Sequence, residues 1–135
     1  MGRDLSELAS YFMPLVTRLI GAAVAEGLDP VIEDTGRTPS EQQVKLLNRV
    51  SWTTRSKHLP QPPEGKSEAI DIVPRALMAL KYWGWNGTVA NSDPRWLQLG
   101  LIGEGLGLRW GGRWTHVPGD PGHFEYIHLP SETTA

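Results

Sequence analysis

The sequence of 135 residues contains no cysteine, so disulfide bonds and thiolate metal sites are both excluded. Any metal ion must therefore be bound by His, Asp or Glu side chains. Long apolar segments are also missing, because no stretch approaches the ~18 apolar residues that a membrane span needs. The first residues lack a basic segment leading into an apolar run, which argues against a secretory signal peptide. We therefore expect synthesis in the cytoplasm and no membrane partner.

The formal net charge is only −2, which gives no general reason to expect nucleic acid as a partner. Hydrophobic residues make up 39% of the chain and charged residues 21%, as in a folded globular protein. This length fits one domain with its own core. We expect a monomer with a single catalytic domain over residues 1–135, an N-terminal helical part at 1–30 and a disordered polar tail at 131–135. The six tryptophans are expected mainly in the core.

Apolar spacing predicts an amphipathic helix from about Leu5 to Gly27, which Pro14 would kink or split. Asp93 and Pro94 mark the start of a helix that extends to about Gly107, and its glycines at 100, 103 and 105 predict close packing. The remaining predicted elements are a helix at Pro39–Asn48, a loop at Leu59–Lys66 and strands at Val31–Asp34, Ala69–Val73, Leu108–Trp110 and His123–Leu129. Because helices and strands do not alternate regularly, the pattern favours an α+β fold, a small mostly antiparallel sheet with flanking helices.

Two histidines and one aspartate form a candidate metal-ligand set: His58, Asp71 and His123. Such a set can bind zinc and leave its fourth position open, as hydrolytic zinc sites require. Asp120 lies three residues before His123, where a carboxylate could act on a water beside the metal. The alternatives stay open at this point: two surface histidines, an aspartate that caps a turn, and Asp120 as a turn residue. The spacing alone is not diagnostic, since the chain has no His-Glu-x-x-His helix.

Several motifs occur in an order that resembles a known peptidase family. They are Gly36-Arg37-Thr38-x-x-Glu41-Gln42, Ser56-x-His58, Ala69-x-Asp71, Trp110-Gly111-Gly112-x-Trp114 and Asp120-x-x-His123-Phe124-Glu125. Together they are similar to the zinc D-alanyl-D-alanine carboxypeptidases and L-alanyl-D-glutamate endopeptidases, which have the Hedgehog-type zinc peptidase fold and include many phage endolysins. One departure is visible, because His58 and Asp71 are thirteen residues apart and the family pattern Ser-x-His-x-x-Gly-x-Ala-x-Asp separates them by seven. We interpret Pro60–Gly65 as a loop insertion between the two ligands.

The resemblance implies a role for each matching residue. The ligands of one Zn²⁺ ion would be His58, Asp71 and His123. Asp120 would be catalytic and transfer the proton, and Arg37 would be catalytic or substrate-binding, facing the scissile carbonyl or a substrate carboxylate. The other expected substrate contacts are Ser56, Trp114 and His116.

Residues beside the motifs carry further expectations. Glu125 shares the face of His123 on the predicted last strand, so a hydrogen bond between them would support that ligand. His128 is expected on the opposite face and therefore outside the metal site. The basic side chains of Lys57, Arg109 and Arg113 lie close in sequence to the motifs and would meet the carboxylates of a substrate.

We therefore interpret the chain as a zinc-dependent peptidoglycan peptidase, specifically a phage endolysin that acts on the bacterial peptidoglycan stem peptide. The expected bond is L-alanyl-D-glutamate, and a D-alanyl bond is the second choice. The protein would accumulate in the host cytoplasm and act on the cell wall after holin-dependent release. The alternative from another class is a non-catalytic, zinc-stabilised cell-wall-binding or interaction module. A structural protein without metal would require the whole spaced pattern to arise by chance.

Overall fold

The computed structural model describes residues 2–36, 56–115 and 119–128. Within these residues two α-helices pack with one antiparallel sheet of four strands, which is the α+β fold expected from the sequence. The helices are α1 (Met13–Ala25) and α2 (Pro94–Gly105), and the strands are β1 (Pro30–Asp34), β2 (Ala69–Pro74), β3 (Arg109–Trp110) and β4 (His123–Glu125). Short 3-10 helices lie at Leu5–Glu7, Arg75–Ala79, Lys81–Gly84 and Gly111–Arg113. No described helix has the length and apolar character to cross a membrane.

The predicted N-terminal helix is divided in two near Pro14. A 3-10 turn at Leu5–Glu7 comes first, and α1 starts at Met13 with Pro14 in its first turn. A proline there breaks no helical hydrogen bond, because first-turn N–H groups have no acceptor within the helix. Pro14 therefore lies in the first turn of α1 and does not kink it. The buried residues of α1 are Val16, Leu19 and Ala23, which follow the predicted apolar spacing.

The sheet has the strand order β1-β2-β4-β3. A register shift between Ile32 and Asp34 places Asp34 opposite Asp71 on β2, and on the other side of β2 Asp71 pairs with His123 on β4. Residues directly opposite each other in an antiparallel pair project from the same face of the sheet. Strand pairing alone therefore brings one predicted carboxylate ligand next to one predicted histidine ligand.

Helix α2 begins as predicted, with the Asp93 side chain accepting a hydrogen bond from the Arg95 N–H at 3.0 Å. Its glycines allow close contact with the sheet. A Cβ atom at Gly100 would lie 2.4 Å from the Trp110 ring, and one at Gly103 would lie 2.4 Å from the Phe124 ring. The prediction of close packing is wrong for Gly105, where an added Cβ atom would meet no neighbouring segment within 4 Å. α2 thus presses directly on β3 and β4, next to His123.

Other boundaries differ modestly from the predictions. β4 ends at Glu125, four residues before the predicted end of that strand, and β1 begins at Pro30. The predicted helix at Pro39–Asn48 and the predicted tail at 131–135 lie outside the described residues.

The inserted loop packs against the residues just before α1. Gln61 and Lys66 form an isolated antiparallel bridge that closes the loop. Glu64 accepts a hydrogen bond from the Ser10 N–H at 2.7 Å, and the Tyr11 hydroxyl donates to the Pro62 carbonyl at 3.4 Å. The insertion is therefore anchored to the N-terminal part of the chain, and the strand that follows it keeps its place in the sheet.

Candidate metal centre and active site

The first half of the site is built by strand pairing. Asp71 on β2 and His123 on β4 face each other, and the distance from His123 Nδ1 to Asp71 Oδ1 is 3.1 Å. The other ring nitrogen of His123 donates a hydrogen bond to Glu125 Oε1 at 2.7 Å. This second hydrogen bond orients the ring and directs Nδ1 towards Asp71, as carboxylate partners of metal-binding histidines do.

His58 reaches the same point from a turn outside the sheet. Its backbone N–H donates to the Ser56 hydroxyl at 3.1 Å, and its ring Nδ1 donates to the Thr35 carbonyl at 2.9 Å. Because Nδ1 carries the proton of the neutral ring, Nε2 presents a lone pair. That Nε2 atom lies 3.1 Å from Asp71 Oδ1, is buried, and makes no hydrogen bond within the described residues.

This arrangement fits a metal ion. A lone pair on His58 Nε2 that faces a carboxylate oxygen is unfavourable in a buried place unless a proton or a metal cation lies between the two atoms. Zinc bonds of about 2.0–2.1 Å in a tetrahedral array separate neighbouring ligand atoms by roughly 3.3 Å. The two histidine–aspartate separations are both 3.1 Å, and the three ligand atoms all lie within 4.8 Å of one another. Two imidazoles and one carboxylate are also a donor set that zinc accepts.

The contacts of this set shift the pKa of two of its members, Asp71 and His123. Burial opposes the ionisation of Asp71, but the neighbouring imidazoles of His58 and His123 outweigh it and hold the pKa of Asp71 well below its ordinary value. Burial also opposes a charge on His123, yet hydrogen bonds to Asp71 and Glu125 raise the pKa of His123 to about 10. A metal ion that binds here must displace the second proton of His123, so protons and metal compete for one site.

Asp120 lies beside this centre without joining it. Its Oδ2 atom is 4.0 Å from His123 Nδ1, and its side chain is 47% exposed. The Asp120 N–H donates to the Gly111 carbonyl at 3.0 Å, and the Asp120 carbonyl accepts from the His123 N–H at 3.2 Å. The tight turn thus fixes a solvent-accessible carboxylate next to the ligand set, which is the position that a general base needs.

A buried carboxylate behind the site joins several segments of the chain. Glu68 is 0% exposed and accepts hydrogen bonds from Lys57 Nζ at 3.2 Å, His128 Nε2 at 2.7 Å and the Tyr11 hydroxyl. Its backbone N–H also donates to the Lys57 carbonyl at 2.9 Å. Lys57 precedes His58, so the Glu68 network holds the turn that presents His58 against the start of β2. Burial and the hydrogen bond to Glu68 both raise the pKa of Tyr11.

A cleft of about 480 Å³ opens beside Asp71 and Asp120. The described residues that line it include five charged residues, Arg3, Glu33, Asp34, Asp71 and Asp120, and two tryptophans, Trp83 and Trp96. No residue of the loop at 59–66 is among the described lining residues, so the insertion does not form this wall. An ion held by Asp71 would therefore face a space large enough for part of a substrate.

The basic residues near the motifs mostly bind carboxylates of the chain itself. Lys57 pairs with Glu68 as described above, Arg109 Nη1 lies 3.6 Å from Glu125, and Arg113 donates two hydrogen bonds of 3.0 Å to Glu104. Each of the three thus has a carboxylate partner within the chain, and their contact with a substrate stays a prediction. Arg3, which the sequence did not single out, lines the cleft instead, with a side chain that is 69% exposed.

Comparison with known proteins identifies the family to which the chain belongs. The family model described as D-alanyl-D-alanine carboxypeptidase matches residues 51–126, more than half of the chain. The chain belongs to this peptidase family. Peptidases of this family are zinc-dependent, and the matched segment contains His58, Asp71 and His123. The resemblance inferred from the motifs is thereby confirmed, and the chain is a peptidase.

The fold of this peptidase is also that of a solved relative. It is similar to the crystal structure of the L-Ala D-Glu endopeptidase ChiX of Serratia marcescens, with a TM-score of 0.63 and 18% sequence identity. The similarity covers 92% of this chain and 84% of that chain. At this identity the match shows a shared fold. No curated protein sequence matches the peptidase.

The predicted site residues of the peptidase fall into three groups. The structure brings together His58, Asp71, His123 and Asp120, while their roles in binding and catalysis stay predictions. Trp114 lies against the site, with its ring centroid 5.0 Å from that of His123. Ser56 is buried and contacts the backbone of His58, so the observed contact orients a ligand, and its predicted substrate contact stays a prediction. Two predicted residues lie outside the described residues: Arg37 and His116.

Sequence reasoning missed two supports of the site. Thr35 orients His58 through its backbone carbonyl, and any residue type provides that group, so the sequence carries no signal for it. Glu68 could have been suspected only as an acidic residue directly before a buried strand. The expected contact between Glu125 and His123 is confirmed, and His128 binds Glu68 outside the ligand set as expected.

Proposed function

We propose that this peptidase is a zinc-dependent peptidoglycan hydrolase that cleaves the stem peptide at the L-alanyl-D-glutamate bond. The observation that carries the proposal is that two buried histidines and a partly buried aspartate, His58, His123 and Asp71, lie together beside the half-exposed Asp120 at a cleft. A structural zinc site is closed by four protein ligands, whereas a hydrolytic site has three protein ligands and a base beside the open position.

The residues of the chain divide the chemistry between them. Zinc, when bound by His58, Asp71 and His123, would polarise the scissile carbonyl and make the attacking water more acidic. Asp120 would take the proton from that water and return it to the leaving amine, so that its carboxylate is regenerated in each cycle. The Trp114 ring, packed on His123, would limit solvent access to the ligand from that side.

The described lining of the cleft carries four carboxylates and one guanidinium, so it suits the free amine of a stem peptide better than its carboxylates. Each stem peptide carries several carboxylates and, beyond D-glutamate, a diamino acid with a free amine. Arg3 could pair with a carboxylate, and Glu33 lies on the same wall at 3.9 Å from Arg3. Arg37 would add a second guanidinium, as the family resemblance implies.

The choice of bond is supported by the fold shared with a protein named as an L-Ala D-Glu endopeptidase. A D-alanyl bond remains the second choice, since the family model carries the name of a D-alanyl-D-alanine carboxypeptidase. The biological setting is also part of the proposal: a phage endolysin made in the host cytoplasm that reaches the wall through a holin. The non-catalytic binding module is disfavoured, because a binding module has no use for Asp120 beside the ligand set.

The deciding experiment is a digest of purified peptidoglycan whose products are identified by mass spectrometry. We expect chelator-sensitive release of peptides with a new N-terminal D-glutamate, and restoration of activity when zinc is added back. His58→Ala should lose both bound zinc and cleavage. Products with new D-alanine ends only would move the bond to the second choice. A folded, zinc-loaded protein that cuts nothing would refute the enzymatic proposal.

A further inference from the structure

Trp83, which lies near the site, is partly exposed, whereas most of the described tryptophans are buried. Trp96 and Trp110 are each 1% exposed and belong to the core, as expected for the tryptophans. Trp83 is 38% exposed and lines the same cleft as Asp71 and Asp120. A partly exposed indole at a residue that lines a cleft offers a large contact area to a ligand that enters the cleft.

The backbone that carries this ring is held in an unfavourable conformation. Tyr82 and Trp83 have φ values of 54° and 52°, in the left-handed region that bulky residues rarely adopt, and Gly84 follows at 72°. The surroundings impose this conformation, because the Trp96 indole N–H donates to the Trp83 carbonyl at 2.8 Å and the Asp93 N–H donates to the Gly84 carbonyl at 2.8 Å. Glycine would fit position 83 with less strain. Strain of this kind concentrates at functional sites.

We propose that Trp83 is the platform for the sugar to which the stem peptide is attached, so that the natural substrate is a glycan-linked stem. The proposal rests on the proposed function. The apolar face of an N-acetylated pyranose packs on an exposed aromatic ring, and a fixed indole offers a large contact area at little entropic cost. The ring requires no charged partner, which suits a neutral sugar.

The size of the cleft agrees with this occupant. In peptidoglycan, a single residue, L-alanine, separates the sugar's lactyl linker from the L-alanyl-D-glutamate bond, and one extended residue spans at most about 3.6 Å. A terminal D-alanyl bond lies four residues from the sugar, or about 13 Å of extended chain. Because Trp83 shares one cleft of about 480 Å³ with Asp71 and Asp120, it can contact a sugar only if the scissile bond is near that sugar.

The test compares two substrates with the same peptide sequence: a stem peptide linked to its disaccharide, and the same peptide with an N-acetyl cap. The values of kcat/KM are measured for the unaltered protein and for Trp83→Ala, Trp83→Phe and Trp83→Gly. Tyr82→Ala is the matched control, because Tyr82 is a neighbouring aromatic residue with the same backbone conformation and 73% exposure, but it is not among the described residues that line the cleft.

We expect Trp83→Ala and Trp83→Gly to lower kcat/KM about tenfold on the disaccharide-linked substrate and to leave the capped peptide nearly unchanged. Trp83→Phe should retain most of the activity, and Trp83→Gly should melt no lower than Trp83→Ala. Equal losses on both substrates, or no loss on either, would overturn the sugar platform. The sugar platform would also be overturned if the Trp83 variants changed oligomeric state or vesicle binding but showed no difference between the two substrates. Failure of the unaltered, zinc-loaded protein to cleave either substrate would instead overturn the proposed function.

Discussion

The sharpest prediction concerns Asp120→Asn, which removes a charge beside the metal centre while keeping the size and the turn. Asp120 is outside the ligand set, with Oδ2 4.0 Å from His123 Nδ1, and its side chain is 47% exposed. Loss of a half-exposed carboxylate should change the free energy of unfolding by no more than about 0.5 kcal/mol. Zinc affinity should weaken by less than about tenfold, since solvent screens the charge.

The effect on catalysis should be far larger than the effect on stability or zinc. Asparagine cannot accept the proton of the attacking water, and general base catalysis contributes roughly 10²–10⁴-fold. This factor corresponds to about 2.7–5.4 kcal/mol of activation free energy. We therefore expect kcat to fall by that factor with KM nearly unchanged, while the protein stays folded and loaded with zinc.

The assay follows release of stem peptides from purified peptidoglycan, together with zinc content by elemental analysis and the melting temperature. Glu33→Gln is the matched control, because it removes a carboxylate from the same cleft at a position outside the ligand set. A zinc-loaded Asp120→Asn variant that keeps its kcat within a factor of about three would refute the assignment of the base. If Glu33→Gln lowered kcat as much as Asp120→Asn, the loss would come from the changed charge of the cleft and not from missing proton transfer by Asp120.

Three further predictions follow from the same geometry. Asp71→Asn should lose zinc and activity together, because the carboxylate lies between both imidazoles at 3.1 Å; retention of stoichiometric zinc, measured by elemental analysis, would contradict the ligand set. Because the pKa of His123 is raised to about 10 without metal, zinc binding at neutral pH should release a proton. Affinity should then be lost as pH falls, by about tenfold per pH unit, which calorimetry in buffers of different ionisation enthalpy can measure; affinity independent of pH between 6.5 and 7.5 would contradict the idea. Gly103→Ala should destabilise the fold by about 1–3 kcal/mol in denaturant unfolding, since the new Cβ would lie 2.4 Å from the Phe124 ring, whereas Gly105→Ala in open space should be neutral or stabilising.

Local sequence signals predicted most of the secondary structure. They failed where the effect of a residue depends on whether it lies at the end or in the interior of a helix. Asp93 and Pro94 mark the start of α2 in the sequence and in the structure, because both act through neighbouring backbone groups. Pro14 was harder to interpret, since proline is favourable in the first turn of a helix and disruptive in its interior. The apolar spacing around Pro14 did not show where that first turn lies.

For the candidate site, composition and order along the chain already limited the chemistry. With no cysteine, a metal had to be held by His, Asp or Glu, and the ordered motifs selected His58, Asp71, His123 and Asp120. The possible metal-binding groups follow from composition and the candidate residues from the order of the motifs, so the sequence by itself determined both, while the roles of these residues stay predictions. The extra residues between His58 and Asp71 did not disturb the assignment, because a loop can lengthen while its ends stay in place.

Only the tertiary structure decided how those residues are used. The register of β2 and β4 places Asp71 opposite His123. The Thr35 carbonyl accepts a hydrogen bond from His58 Nδ1 and so fixes which ring nitrogen carries a proton. Arg3 and Trp83, which are far apart in sequence, line the same cleft. These contacts join residues far apart in sequence, and several involve backbone atoms that every residue carries. Residue type determines which bonds a side chain can make, whereas packing determines which partner lies within reach.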